Sequence, residues 1–178
     1  VGHAHGQGVV HRDLKPANIL VDKAARVVLT DFGLARASSI LTRLTQSNTI
    51  LGTPRYMAPE QVEARASDID ARSDVYALGV ILYEVLAGRP PFDSDVPAKL
   101  FHLIVNTDAE PPTRVAPWVE RDLEVICLKA MEKERDRRYA TALDFAEDLG
   151  RFRRGEPVMA KPPSLGYRLR RQLVRRKA

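Results

Sequence analysis

The sequence predicts a mainly α-helical domain that carries one small β-hairpin. Apolar residues recur at helical spacing in several segments of the second half, and two short β-rich runs flank a three-residue turn near the start. No run of eighteen apolar residues is present to cross a membrane. The 178 residues, 44% hydrophobic and 29% charged, have the composition of a soluble globular protein and favour one hydrophobic core over two.

The first elements are a helix end and a hairpin. Residues 1–8 are predicted to finish a helix, because Gly6 and Gly8 are typical stop signals. Residues 18–22 and 26–30 are rich in β-branched side chains and are predicted to pair as antiparallel strands. This hairpin would bring its two ends, and the polar residues there, to one site.

Helices are predicted for the second half of the chain. Residues 72–87 are apolar nearly all round, which indicates a buried helix, and Gly88 with the following prolines would end it. Further helices are predicted over 97–105, 117–131 and 141–152. The large aromatic residues Trp118, Tyr139 and Phe145 are predicted to be core.

The C-terminal segment differs in composition from the rest. Residues 151–178 contain ten basic residues and one acidic residue, whereas residues 1–150 contain 18 basic and 22 acidic residues. The domain is therefore predicted over residues 1–155 and a basic linker with an amphipathic helix over 156–178. The linker prolines are Pro157, Pro162 and Pro163, and the leucines that recur every four residues are Leu165, Leu169 and Leu173.

The stretch HRDLKPAN, residues 11–18, carries the chemistry of a catalytic loop. Asp13 can accept the proton of an attacking hydroxyl, Lys15 can reach charge on a transferred phosphoryl group, and Asn18 offers a neutral oxygen to a hard cation. Pro16 disfavours helix at Lys15, which predicts an ordered loop. The alternative is a solvated polar turn in which Asp13 and Lys15 only pair.

Together with two later motifs, this string resembles the catalytic loop of eukaryotic-like serine/threonine protein kinases. The motifs are Asp31-Phe32-Gly33 and the stretch Gly52–Glu60, which ends in Ala-Pro-Glu. The resemblance covers about residues 1–155 and implies the larger, helical lobe of a kinase. It implies ATP and Mg²⁺ as cofactors and protein Ser/Thr hydroxyls as acceptors. The residues it assigns to this chemistry are Asp13 as base, Lys15 and Thr53 at the transferred phosphate, Asn18 and Asp31 on the metal, and Leu20 under the adenine ring, with plain core as the alternative for Leu20.

The resemblance also implies a regulatory segment. Residues 34–51 are rich in Ser and Thr and show no helical or strand period. In the family this is the activation segment, ordered when a phosphate in it pairs with the arginine that corresponds to Arg12. Thr45 and Ser47 are the preferred acceptors. The alternative is an unmodified flexible loop.

Four further residues are given structural roles by motif match. His11 opens the catalytic loop, and Asp74 corresponds to a buried aspartate that holds the backbone of that loop. The alternative is that Asp74 caps its helix or favours the positive end of that helix. Glu60 is expected to pair with a buried Arg138. Arg135 departs from the family, which usually has proline there, and the pairing of Glu60 with Arg138 is expected nonetheless.

The kinase resemblance leaves out the smaller lobe. No glycine-rich phosphate loop, strand lysine or helix glutamate of that lobe occurs in the 178 residues, so we expect negligible kinase activity from them alone and a parent chain that supplies the missing lobe. The favoured function is phosphorylation of Ser/Thr hydroxyls by the parent. The alternative is a non-catalytic, kinase-like scaffold.

The remaining expectations concern location and partners. Cys127, the single cysteine, fits a reducing, cytoplasmic compartment and is expected to be a buried apolar residue. The basic tail favours contact with an anionic membrane surface, as in a kinase tethered beyond its C-terminus. A solvated helix is the second choice, and nucleic acid the least favoured partner.

Overall fold

The computed structural model describes residues 1–32 and 54–162, and this part is mainly helical with one two-stranded antiparallel sheet. The predicted fold class is therefore confirmed at this level. The helices are α1 (Gly2–Gly6), α2 (Pro59–Val62), α3 (Ala71–Ala87), α4 (Pro97–Asn106), α5 (Pro112–Val115), α6 (Arg121–Ala130) and α7 (Ala142–Arg153). The strands are β1 (Ile19–Val21) and β2 (Val27–Leu29), and single 3₁₀ turns lie at Pro16–Asn18, Pro54–Tyr56, Ala66–Asp68 and Arg135–Arg137.

The hairpin is held by its turn as well as by strand pairing. Leu20 lies opposite Val28 in the register of the two strands. The carboxylate of Asp22 accepts hydrogen bonds from the N–H groups of Ala24 at 2.8 Å and Arg26 at 2.9 Å, which closes the turn between the strands. This fixed turn sets how the ends of the hairpin meet.

Helix α3 runs through the centre of the lobe. The side chain of Asp70 caps its start by accepting a hydrogen bond from Arg72 N at 2.8 Å, and Gly88, at φ +70°, ends it. A Cβ at Gly79 would lie 2.8 Å from that of Ala130, so glycine is needed where α3 and α6 meet. The final turn departs from the predicted burial, because Val85 is 75% exposed.

Two buried clusters surround α3. The first joins α3 to α4 and to the end of α6: Ala58, Tyr76, Val80, Tyr83, Phe92, Leu100, Ile104, Cys127 and Met131. The second joins α3 to α6 and α7: Val75, Val125, Ile126, Ala130, Tyr139, Ala142, Phe145 and Ala160. Tyr139 and Phe145 are core as predicted, and Cys127 is buried, which raises the pKa of its thiol.

Trp118 is 79% exposed, so its prediction as core is wrong. The predicted helix over 117–131 begins only at Arg121, and the chain before it makes a tight turn in which Val119 N donates to Ala116 O at 3.0 Å. Ala116 and Val119 are buried on the inner side of this turn. The indole between them therefore faces solvent.

The folded body continues beyond the predicted end of the domain. Gly155, at φ +69°, turns the chain after α7, Val158 packs against the second cluster, and Ala160 is 6% exposed. Residues 158–160, which the sequence places in the linker, therefore pack on the domain. Within residues 1–32 and 54–162, no helix has the length and apolar character needed to cross a bilayer.

Candidate active site

The loop from His11 to Asn18 is anchored by three buried side chains. His11, Leu14 and Asn18 are 1%, 2% and 4% exposed. Lys15 is extended at φ −158° and ψ 160°, as expected before Pro16, and a single 3₁₀ turn leads from Pro16 into β1. The loop is therefore anchored in the interior, while Asp13 and Lys15 pair at its partly exposed surface.

Lys15 and Asn18 both point at Asp13. Lys15 Nζ lies 2.8 Å from Asp13 Oδ2, and Asn18 Nδ2 lies 3.3 Å from the same oxygen and 2.8 Å from the main-chain oxygen of Asp13. Among the described residues, no donor reaches Oδ1, and the Asp13 side chain is 39% exposed. The carboxylate is thus oriented through one oxygen while the other stays available.

The hairpin brings Asp31 to the catalytic loop. Thr30 N donates to Asn18 O at 3.0 Å, and His11 Nε2 lies 2.8 Å from Thr30 O. The His11 and Phe32 rings lie 4.7 Å apart. Asp31 sits between these two contact residues, exposed and at φ +59°, so its backbone adopts a left-handed conformation beside the loop.

The His11 imidazole connects the two segments. Its Nε2 donates to Thr30 O, and its Nδ1 accepts from Asp13 N at 3.3 Å. One nitrogen donates and the other accepts, which fixes the tautomer. The side chain thus links the Asp13 backbone to the strand that leads to Asp31.

Asp74 holds the backbone of the loop. Its Oδ2 accepts from His11 N at 2.7 Å and its Oδ1 from Arg12 N at 2.8 Å, while His5 Nε2 lies 2.8 Å from Oδ2. Arg12 is at φ +68°, a conformation that costs a non-glycine residue free energy and needs such support. Asp70, not Asp74, accepts the capping hydrogen bond of α3, while Asp74 lies in the first turn, at the positive end of the helix.

Glu60 and Arg138 form a buried, bidentate ion pair. Arg138 Nη1 and Nη2 lie 2.8 Å from Glu60 Oε1 and Oε2, and Ser73 Oγ donates to Oε1 at 2.6 Å. Burial opposes ionisation of Glu60, but the hydrogen bonds and charge of Arg138 outweigh it and hold the pKa of Glu60 below its ordinary value. Arg135 stands where the family usually has proline, and its guanidinium lies 3.4 Å from the carboxylate of Asp68. The 3₁₀ turn Arg135–Arg137 forms without that proline.

The structure describes only some of the other candidate residues. Leu20 is 54% exposed, so the core alternative for it does not hold. The side chain of Arg12 is exposed. Thr45, Ser47 and Thr53, Gly33 of the second motif and the leucines of the basic tail lie outside the described residues.

Three residues at the site escaped the sequence analysis. His5 contacts Asp74, Gln61 Nε2 donates to Arg12 O at 2.7 Å, and Ser73 donates to Glu60. Gln61 and Ser73 are direct neighbours of Glu60 and Asp74, which was the only available signal. Nothing local in the sequence distinguishes His5 from the nearby His3.

Comparison with known proteins places this geometry in context. Residues 1–148 match the family model described as protein kinase domain. The chain is 43% identical over 157 residues to serine/threonine-protein kinase PknB of Mycobacterium leprae, which covers 88% of the chain and 25% of the relative. It is 41% identical over 160 residues to a probable serine/threonine-protein kinase PknB of Bifidobacterium longum, covering 89% of the chain and 23% of the relative. The chain thus spans about a quarter of the length of these curated relatives.

Proposed function

This chain belongs to the protein kinase family, in the group of serine/threonine kinases, and we propose that the protein containing it transfers the γ-phosphate of ATP to Ser or Thr hydroxyls of other proteins. The observation that carries the proposal is the convergence of Lys15 and Asn18 on Asp13 within an anchored loop. A scaffold would not need this arrangement of charge and amide.

Asp13 is the proposed base. Lys15 and Asn18 hold Oδ2, and no donor from residues 1–32 or 54–162 binds Oδ1, so Oδ1 is proposed to accept the proton of an approaching acceptor hydroxyl. Lys15 is 24% exposed, so its ammonium can also face charge on the transferred phosphoryl group. Thr53 is proposed to bridge the two and to favour Ser and Thr acceptors.

Asn18 and Asp31 are the proposed metal ligands. A carboxylate and an amide oxygen are hard donors of the kind that Mg²⁺ takes, and the hairpin joins the two segments through Thr30. Bound there with ATP, the ion would neutralise phosphate charge. Asn18 and Asp31 would position the nucleotide phosphates, and the exposed Leu20 would contact the adenine ring.

The described body corresponds to the larger lobe of a kinase, with the smaller lobe supplied by the parent chain. This is supported by the apolar side chains exposed on the hairpin: Leu20, Val21, Val27 and Val28, which are 49–65% exposed. Apolar surface of this extent favours contact with another folded body. We expect that body to supply the glycine-rich loop and complete the nucleotide pocket.

Regulation and location complete the proposal. Phosphate on Thr45 or Ser47 would pair with the exposed guanidinium of Arg12 and order the segment between the two later motifs. Mass spectrometry of the active protein should find phosphate between residues 37 and 50. The parent is proposed to act in the cytoplasm, with its basic tail on an anionic membrane. Sedimentation with anionic vesicles at low salt tests that contact. The membrane contact is refuted if the protein remains in the supernatant.

The decisive experiment uses the full-length protein with Mg-ATP and a Ser/Thr peptide. Asp13→Asn should reduce phosphate transfer at least about 100-fold, because it removes the base without changing the side-chain shape. Asp122→Asn, an exposed aspartate in the first turn of α6, is the matched control and should retain activity. An inactive wild-type protein, or an active Asp13→Asn variant, would refute the proposal and favour the scaffold.

A further inference from the structure

A buried carboxylate fastens the segment after α7 to the lobe. Asp148, 1% exposed, accepts three hydrogen bonds: from Tyr139 Oη at 2.8 Å, from Met159 N at 2.7 Å and from Ala160 N at 2.9 Å. Two of these donors belong to the backbone of residues 156–160, here called the strap. The strap lies beyond the 148 residues that match the family model.

The strap is part of the packed interior. The buried Ala160 belongs to the second cluster with Val75, and Val158 and Val1 pack against that cluster. Burial and the bond to Asp148 raise the pKa of the Tyr139 hydroxyl, so it stays a proton donor to that carboxylate. Two of the three donors to Asp148 are therefore groups that keep the strap in place.

Two routes lead from this cluster to the catalytic loop. Val75 is the neighbour of Asp74 on α3, and Val1 precedes α1, which carries His5 to Asp74. Helix α1 also packs tightly on α7, since a Cβ at Gly2 would lie 2.7 Å from Leu143 Cδ2. Asp74 in turn holds the left-handed backbone at Arg12, directly before Asp13.

We propose that Asp148 is a positioning residue for the catalytic loop: by fixing the strap against α1 and α3, it keeps His5 and Asp74 in place beneath the backbone of His11 and Arg12. The inference rests on the proposed kinase function for its effect on turnover. Its structural part concerns hydrogen bonds that can be followed without any reaction.

The test is hydrogen exchange on the full-length protein carrying Asp148→Asn. A carboxamide has one acceptor oxygen for three donors and turns an N–H group towards the others, so the strap should open. Exchange should quicken about tenfold or more at Met159 and Ala160 and also at His11 and Arg12. The kcat for phosphate transfer should fall by a similar factor, while KM for ATP changes less than about twofold.

Two matched variants separate positioning from general loss of stability. Tyr139→Phe keeps both strap hydrogen bonds and should leave the protection of His11 and Arg12 near that of the wild type. Asp144→Ala removes one half of the capping box of α7, in which Asp144 accepts from Thr141 N, without touching the strap. It should leave the loop amides protected.

The proposal is overturned if Asp148→Asn exposes only the strap amides, or if Asp144→Ala exposes the loop amides equally. Exchange is measured without substrate. A full-length protein that fails to phosphorylate any peptide would therefore refute the proposed function and leave this coupling to be judged by exchange.

Discussion

Replacing Arg138 with methionine is expected to lower the free energy of unfolding by about 3–5 kcal/mol. Arg138 is 4% exposed, and its five N–H groups are all engaged. Two bind Glu60, and three bind the main-chain oxygens of Glu132, Arg72 and Lys133 at 2.7–3.2 Å. Methionine fills similar space but leaves the Glu60 charge buried with Ser73 as its remaining side-chain donor.

The stability losses of the two single variants, at Glu60 and at Arg138, are compared with the loss of the double variant. A domain of this size is stable by about 5–15 kcal/mol, so either single variant would lose a large part of its stability. Changing Glu60→Leu and Arg138→Met together removes the buried charge as well, and this double variant should lose at least about 2 kcal/mol less than the sum of the single losses.

Urea denaturation of the full-length protein at pH 7 measures these differences. Arg154→Met is the control, because Arg154 also contacts two carboxylates, Glu147 and Glu156, but is 49% exposed. Screening by water should keep its loss of stability well below that of Arg138→Met. The reasoning is refuted if Arg138→Met costs no more than Arg154→Met, or if the losses at Glu60 and Arg138 simply add.

The same pair predicts a dependence on pH. The folded pKa of Glu60 is lowered from its ordinary value of 4.5, so the folded state binds fewer protons there than the unfolded state. Its stabilising contribution is present above pH 4.5 and is lost as the pH falls through the folded pKa. The free energy of unfolding, measured by urea denaturation between pH 6 and pH 3, should therefore decrease less on acidification for Glu60→Gln than for the wild type.

Three other predictions follow from the described contacts. Asp74→Asn removes a carboxylate oxygen from the catalytic-loop backbone and should reduce kcat about tenfold or more in peptide assays. Ala25→Gly or Ala64→Gly should raise the free energy of unfolding by about 0.5–1 kcal/mol in urea titrations, because both alanines have positive φ. Trp118→Ser should change the free energy of unfolding, measured in urea, by less than about 0.5 kcal/mol, since the indole faces solvent.

Local sequence was enough to predict the centre of the site. Asp13, Lys15 and Asn18 fall within six positions, and a proline sets the backbone between them, so few conformations separate the motif from its geometry. The hairpin was predictable for the same reason, as its strands are joined by a short turn. The bounds of α3 differ from the predicted 72–87 by one residue at its start.

What was missed depends on residues far apart in the chain. His5 acquires its contact only in the folded chain, because Asp74 on α3 lies 69 positions away in sequence. Trp118 is apolar and follows a proline, yet the turn from Ala116 to Val119 decides which way it faces. The strap was predicted as linker because Pro157 begins a basic, proline-containing stretch, while the carboxylate that holds the strap lies on α7.

The hydrogen bonds from Asn18 to Asp13 also determine which way the amide oxygen of Asn18 points. A carboxamide is planar, with hydrogens on one branch and oxygen on the other, so committing Nδ2 to Asp13 turns the oxygen of Asn18 away from it. Aspartate at this position would have no hydrogens to offer and would set two anions side by side. These hydrogen bonds therefore fix the direction in which the Asn18 amide oxygen points, and burial of the side chain prevents its rotation.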